Sequence, residues 1–135
     1  IGSTLALLEA RDHGCDEALM LSADGHISEA SSGNIFWVMG EQLFTPALAT
    51  GCLAGNTRAA IMRLTDVREV TADIDMLLTA DAAFISNVRL GIWSVASLMP
   101  NGKTFDPNHP RIAAFVALLD ADRVAYIAAH AKVWA

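Results

Sequence analysis

Apolar positions recur along the chain with two different periods. Over residues 3–13, Leu5, Leu7 and Leu8 stand among good helix formers and Gly14 follows as a stop, a pattern that predicts a short helix. Residues 17–22 and 26–31 are strand-like runs flanking Ala23-Asp24-Gly25, and an Asp-Gly pair between two such runs predicts a tight hairpin. A third run, residues 34–39, is separated by Gly40-Glu41 from a fourth, residues 42–45, which Pro46 ends. After a loop rich in small residues, 46–55, the positions of Ala60, Ile61 and Leu64 return to helical spacing, so a helix is expected to start near Asn56 or Thr57. Residues 67–72 predict a strand, 74–79 a helical turn, 82–86 a strand ending in Asn87, and 93–99 a strand closed by Pro100-Asn101-Gly102. From Arg111 to about Lys132 the chain reads as helical, with Ile112, Phe115, Val116 and Leu119 on one face. Strands before and between helices place the chain in the α+β class, and no internal repeat is visible.

Composition narrows the picture. A chain of 135 residues, 53% hydrophobic and 18% charged, suffices for one domain, residues 1–135, with a core that offsets the entropy of ordering. With 9 Lys and Arg against 15 Asp and Glu, net charge −6, and no basic cluster, nucleic acid is excluded as a partner. The longest apolar stretch, residues 112–131, is broken by Asp120, Asp122 and Arg123, which argues against a membrane span. Cys15 and Cys52 lie far apart with no CxxC spacing, so neither a metal site nor a disulfide framework is expected, and a reducing cytoplasm is the default compartment. The chain opens at Ile1 inside an apparent helix that Glu9, Arg11 and Asp12 make unlike a signal peptide; it reads as a piece of something longer.

Three places could carry chemistry. In Leu53-Ala54-Gly55-Asn56-Thr57-Arg58, a glycine turn leads into a helix whose free N–H groups would hold a phosphate, or whose start Asn56 or Thr57 would cap. Glu29 lies in a strand, where carboxylates are depleted, directly before the polar cluster Ser31-Ser32-Gly33-Asn34; it faces solvent or has a specific partner. Ser86-Asn87 ends an apolar strand, a place where side chains leave a sheet to form a site and where ordinary turn chemistry also occurs. The histidines His13, His26, His109 and His130 have no partner at ligand spacing, with His130 placed near the end of the last helix. Phe36, Trp37 and Phe84 alternate within apolar strands and are assigned to the core. No Gly-x-Ser-x-Gly elbow occurs.

Taken in order, Glu9-Ala10, His13-Gly14, Asp16-Glu17-Ala18, Asp24 to Glu29, Ser32 to Phe36, Leu43 to Pro46, Leu53 to Arg58 and Phe84 to Asn87 resemble the larger, C-terminal domain of the class IV (fold type IV) pyridoxal-phosphate enzymes. That family includes branched-chain aminotransferases, D-amino acid aminotransferases and 4-amino-4-deoxychorismate lyase. The resemblance covers roughly residues 5–99. It implies a mixed, largely antiparallel, barrel-like sheet with flanking helices, pyridoxal 5'-phosphate as cofactor, and a homodimer. By the same resemblance, Glu29 pairs with the pyridine nitrogen of the cofactor, where a carboxylate keeps the ring protonated. Gly55, Asn56 and Thr57 match the phosphate cup, Asn56 standing where the family usually has a β-branched aliphatic residue. Ser86 and Asn87 match the strand end that closes over the phosphate, and Ser31 and Ser32 the polar loop near the cofactor.

The departures are specific. Lys103 and Lys132 fall outside any matching motif, so the lysine that tethers the family's cofactor, expected a few residues before Ile1, is not in this chain. The smaller N-terminal domain that supplies a phosphate-binding arginine is also expected upstream. Val88 replaces a common hydroxyl residue, and Ser94 the usual proline. The resemblance implies an aminotransferase acting on amino acids and 2-oxo acids. The alternative is the lyase, which the Asn-x-x-x-Gly-x-Trp-x-Val spacing of residues 87–95 resembles, and a second alternative is a non-catalytic domain.

Overall fold

The computed structural model describes residues 2–121 and 130–135. Helix α1 (Gly2–Asp12) precedes a hairpin of β1 (Glu17–Leu21) and β2 (Ile27–Ala30), turned at Asp24-Gly25 with Gly25 at φ 83°. A second hairpin, β3 (Asn34–Met39) with β4 (Gln42–Pro46), turns at Gly40, φ 59°. Both turns need a left-handed residue, which explains why glycine occupies each. A 3-10 turn (Leu48–Thr50) leads to α2 (Asn56–Leu64), then β5 (Val67–Val70), α3 (Ile74–Leu78), β6 (Ala82–Asn87), β7 (Gly91–Met99), β8 (Lys103–Thr104), α4 (Pro110–Ala121) and β9 (His130–Trp134).

The strands form one mixed sheet in the order β2-β1-β9-β7-β6-β3-β4-β5, with β8 paired to β7. Five of its eight pairings among the described residues are antiparallel; β1–β9, β4–β5 and β7–β9 are parallel. The sheet curls, because the Ile27 N–H donates to the Ala72 carbonyl at 2.8 Å and Ala30 bridges Gly33, bringing the β2 edge back towards β3 and β5. The barrel-like α+β expectation therefore holds.

Alternation along β3 and β6 sorts side chains to two cores. Ile35, Trp37, Ala83 and Ile85 face one cluster, which the curl encloses with Ile27, Val95 and Leu98. Phe36, Val38, Phe84 and Ile92 face the other, which α2 covers with Ile61 and α4 with Ile112, Phe115 and Leu119. The assignment of Phe36, Trp37 and Phe84 to the core is borne out: each is fully buried.

One expectation fails. Of the helix read from Arg111 to Lys132, residues 111–121 are helical, whereas His130–Trp134 is a strand inserted between β1 and β7. The part of that reading on residues 122–129 lies outside the described residues. Ala131 and Val133 alternate inward from β9, a period of two that the adjoining helical pattern hides. His130 thus opens a strand rather than closing a helix. No helix among the described residues is long and apolar enough to cross a membrane.

Candidate functional site

Three connections meet at one end of the curled sheet: the loop from β2 to β3, the loop from β4 to α2, and the end of β6. Each takes its shape from its own residues.

Between β2 and β3, Ser31 donates its backbone N–H to the Ala18 carbonyl at 2.9 Å, and its hydroxyl accepts from the Ala18 N–H at 3.3 Å. The Ser32 hydroxyl donates to Glu17, a buried carboxylate whose other oxygen accepts the Ala18 N–H at 3.0 Å. Gly33 is held against β6 so closely that a Cβ there would run into the Ser86 carbonyl oxygen. The loop can only pass β6 at a residue without a side chain.

Between β4 and α2, the Thr50 hydroxyl donates to the Ala47 carbonyl at 2.7 Å and Gly51 takes φ 89°. The chain then runs back to the sheet, where the Leu53 N–H donates to Glu29 Oε2 at 3.0 Å and Asn34 Nδ2 donates to the Leu53 carbonyl at 2.7 Å. Glu29, half-buried, thus has a specific partner. Gly55 is the N-cap of α2, and neither Asn56 nor Thr57 caps it with a side chain. No acidic residue stands in the first turn, so the N–H groups that a helix start leaves unpaired remain available, together with the positive end of the dipole. Arg58 fastens this end from behind, its buried guanidinium donating to the Pro46 carbonyl at 3.2 Å and to Glu69 at 2.6 Å.

At the end of β6, Asn87 Oδ1 accepts from the N–H groups of Arg89 at 3.1 Å and Leu90 at 2.7 Å, and Gly91 reverses the chain at φ 72°. That turn presents Val88 to solvent.

These connections border an open cavity of about 290 Å³. All eight residues singled out from the sequence, Glu29, Ser31, Ser32, Gly55, Asn56, Thr57, Ser86 and Asn87, line it. Two of them are unusual. The hydroxyls of Thr57 and Ser86 are buried, 2% and 1% exposed, and have no hydrogen-bond partner. A buried hydroxyl left unpaired costs free energy, and here two such donors stand in one cavity wall. Sequence reasoning missed Ser3 of α1, which also lines the cavity, and Asn34. The available signal for Asn34 was a buried amide opening an otherwise apolar strand.

The curled mixed sheet thus brings a helix start without a side-chain cap, a carboxylate and two unpartnered hydroxyls to one cavity. The chain belongs to the class IV aminotransferases, whose family profile, described as amino-transferase class IV, matches residues 1–98. Over 103 residues it is 37% identical to the branched-chain-amino-acid aminotransferase of Salmonella typhimurium, a match that covers 73% of this chain and 33% of that protein. The aminodeoxychorismate lyase of Bacillus subtilis is 32% identical over 98 residues, covering 69% of this chain and 31% of the lyase. Among solved structures, the branched-chain amino acid aminotransferase of Thermobaculum terrenum in its PLP-form superposes with a TM-score of 0.78 at 28% identity, over 90% of this chain and 40% of that one. The chain spans about a third of the length of the curated relatives it matches.

Proposed function

We propose that this chain is the cofactor-cradling domain of a pyridoxal 5'-phosphate-dependent aminotransferase that moves an amino group from an amino acid to a 2-oxo acid. The observation that carries the reading is the cavity lined together by a helix start without a side-chain cap, two unpartnered buried hydroxyls, Thr57 and Ser86, and Glu29. This donor set suits a phosphate, and a carboxylate suits a protonated ring nitrogen. The cofactor would supply an electron sink for the charge that develops at the substrate Cα.

The chain's own residues then divide the work. The N–H groups of Asn56 and Thr57 and the hydroxyls of Thr57 and Ser86 would bind the phosphate. Because the contact at position 56 runs through the backbone, Asn56 serves there as well as an aliphatic residue. Glu29 would accept from the ring nitrogen with Oε1, Oε2 being engaged by the Leu53 N–H. Ser31, Ser32 and Asn87 would shape the polar wall around the ring and substrate. The tethering lysine and a smaller N-terminal domain are proposed to precede residue 1, and the assembled enzyme to be a cytoplasmic homodimer, both from the family resemblance.

The full-length protein should be yellow when purified with pyridoxal 5'-phosphate, and Glu29→Ala should lower turnover by at least roughly a hundredfold. Wild-type turnover in that variant would refute the role of Glu29. A gene product with no lysine shortly before the Ile1 position would sink catalysis altogether and leave a binding domain.

A second reading, 4-amino-4-deoxychorismate lyase, is favoured by Asn87, Gly91, Trp93 and Val95, which carry the spacing that resembles the lyase. Incubation with aminodeoxychorismate separates the two. Formation of 4-aminobenzoate and pyruvate supports the lyase, whereas amino transfer from leucine or D-alanine to 2-oxoglutarate supports the aminotransferase.

A further inference from the structure

Glu29 and the start of α2 come from distant parts of the sequence, yet the loop that joins them to β3 is held through a single residue. Leu53 gives its N–H to Glu29 and its carbonyl to Asn34, so the loop is gripped on both sides of a single residue. Leu53 itself contributes no anchoring by burial, since its side chain is 73% exposed. Asn34 is 5% exposed, opens β3 and pairs in register with Ser86, the residue whose hydroxyl is unpartnered. A Cβ on Gly55 would run into its amide oxygen, so Gly55, the N-cap of α2, packs directly on the Asn34 side chain.

We infer that Asn34 is a positioning residue, a strut that acts through the Leu53 peptide and Gly55 to keep the Glu29 carboxylate and the helix start of α2 in mutual register. The inference rests on the proposed function for its consequence, but the strut is a property of the protein alone. A carboxylate on β2 and a phosphate cup on α2 must present themselves to one rigid molecule at a set separation. Two independent loops would each lose precision, and misplacement of about 1 Å is enough to weaken such a site severely. Removing the Asn34 amide leaves the Leu53 carbonyl without its donor, frees the loop to swing, and releases the N–H that orients Glu29.

The test uses the full-length protein, wild type and with Asn34→Ala, and Asn34→Asp as a second variant that keeps the volume while replacing the donor by an acceptor. Hydrogen exchange at the Leu53 amide is measured first, without cofactor. Dissociation constants for pyridoxal 5'-phosphate and for pyridoxal, which lacks the phosphate, are measured next, with the pH titration of the bound chromophore. The strut predicts that Leu53 exchange accelerates by roughly tenfold or more in both variants while the β3 and β6 amides stay protected. It further predicts that pyridoxal 5'-phosphate binding weakens by roughly tenfold, that pyridoxal binding weakens less, and that the chromophore titration shifts, since both the phosphate and the ring partner are disturbed. Unchanged Leu53 protection overturns the strut. Lost protection with wild-type affinity and titration overturns the positioning role and reduces Asn34 to a packing residue. A wild-type protein that binds neither ligand refutes the functional reading, while the exchange data still decide the strut.

Discussion

Two helix starts in this molecule are built in opposite ways. Helix α3 is capped by its own sequence: Asp73 precedes it in extended conformation and accepts the Asp75 N–H at 3.1 Å, and Asp75 adds an acid in the first turn. Helix α2 has neither device; its N-cap is a glycine, its first turn holds no acid, and its start lines the cavity. The end that faces solvent is capped by its own side chain, and the end that faces the cavity is not, as the proposed anion site requires. Local stability alone would favour a side-chain cap at both, and under the proposed function the omission at α2 exchanges that stability for phosphate binding.

That contrast can be broken or sharpened by experiment. The largest effect is expected from Gly55→Ala. A Cβ there would run into Asn34 Oδ1, and displacing the strut should cost about 1–3 kcal/mol of stability and lower pyridoxal 5'-phosphate affinity by roughly a hundredfold, read by thermal unfolding and by titration. Wild-type binding by the folded variant would mean that the helix start is not the anion site. Next comes Thr57→Val, where stability and binding should part. Removing a buried hydroxyl without a partner should leave the cofactor-free protein as stable or slightly more so, yet weaken the cofactor by about tenfold. Parallel losses in both would show that the hydroxyl has an internal role.

Asp73→Ala supplies the opposite sign at the other helix. Losing that cap should cost about 1 kcal/mol of stability while cofactor affinity stays within about twofold. A large loss of affinity would end the division between the two helix starts. The smallest effect belongs beyond α1, remote from both. Burial, with help from the neighbouring Asp16, pushes the Cys15 thiol up, so the folded chain holds that proton more tightly than the unfolded one. Its stabilising share is present below the ordinary thiol range and is lost as pH rises through the raised value. Stability measured across alkaline pH should therefore decline slightly less steeply in Cys15→Ala than in the wild type.

Much of this architecture was legible in the chain because its signals are local. Asp24-Gly25 and Gly40-Glu41 specify their turns within two residues, and the alternation of residues 34–39 needs no partner to be read. The cavity lining was legible for another reason: the motifs around Glu29, Gly55 and Ser86 follow the order and spacing of a known family, whereas each segment alone was equally open to a cap or turn reading. What escaped is non-local. Residues 130–134 are a strand only because β1 and β7 each leave a parallel edge for them, a fact absent from the segment itself. Asn34 looked like the polar first residue of a strand, since its partner is a backbone carbonyl nineteen positions away, and backbone groups leave no trace in a pattern of side chains.

The place of β9 has a bearing on how the protein comes into being. A ribosome releases β1 near the start of this segment and β7 much later, yet the two become neighbours in the sheet only through residues 130–134, which are made after both. Until those residues emerge, β1 and β7 each expose an unpaired edge, and the cavity rests on two halves of a sheet not yet joined at that seam. Synthesis of the residues that line the cavity is therefore complete well before the scaffold that steadies them.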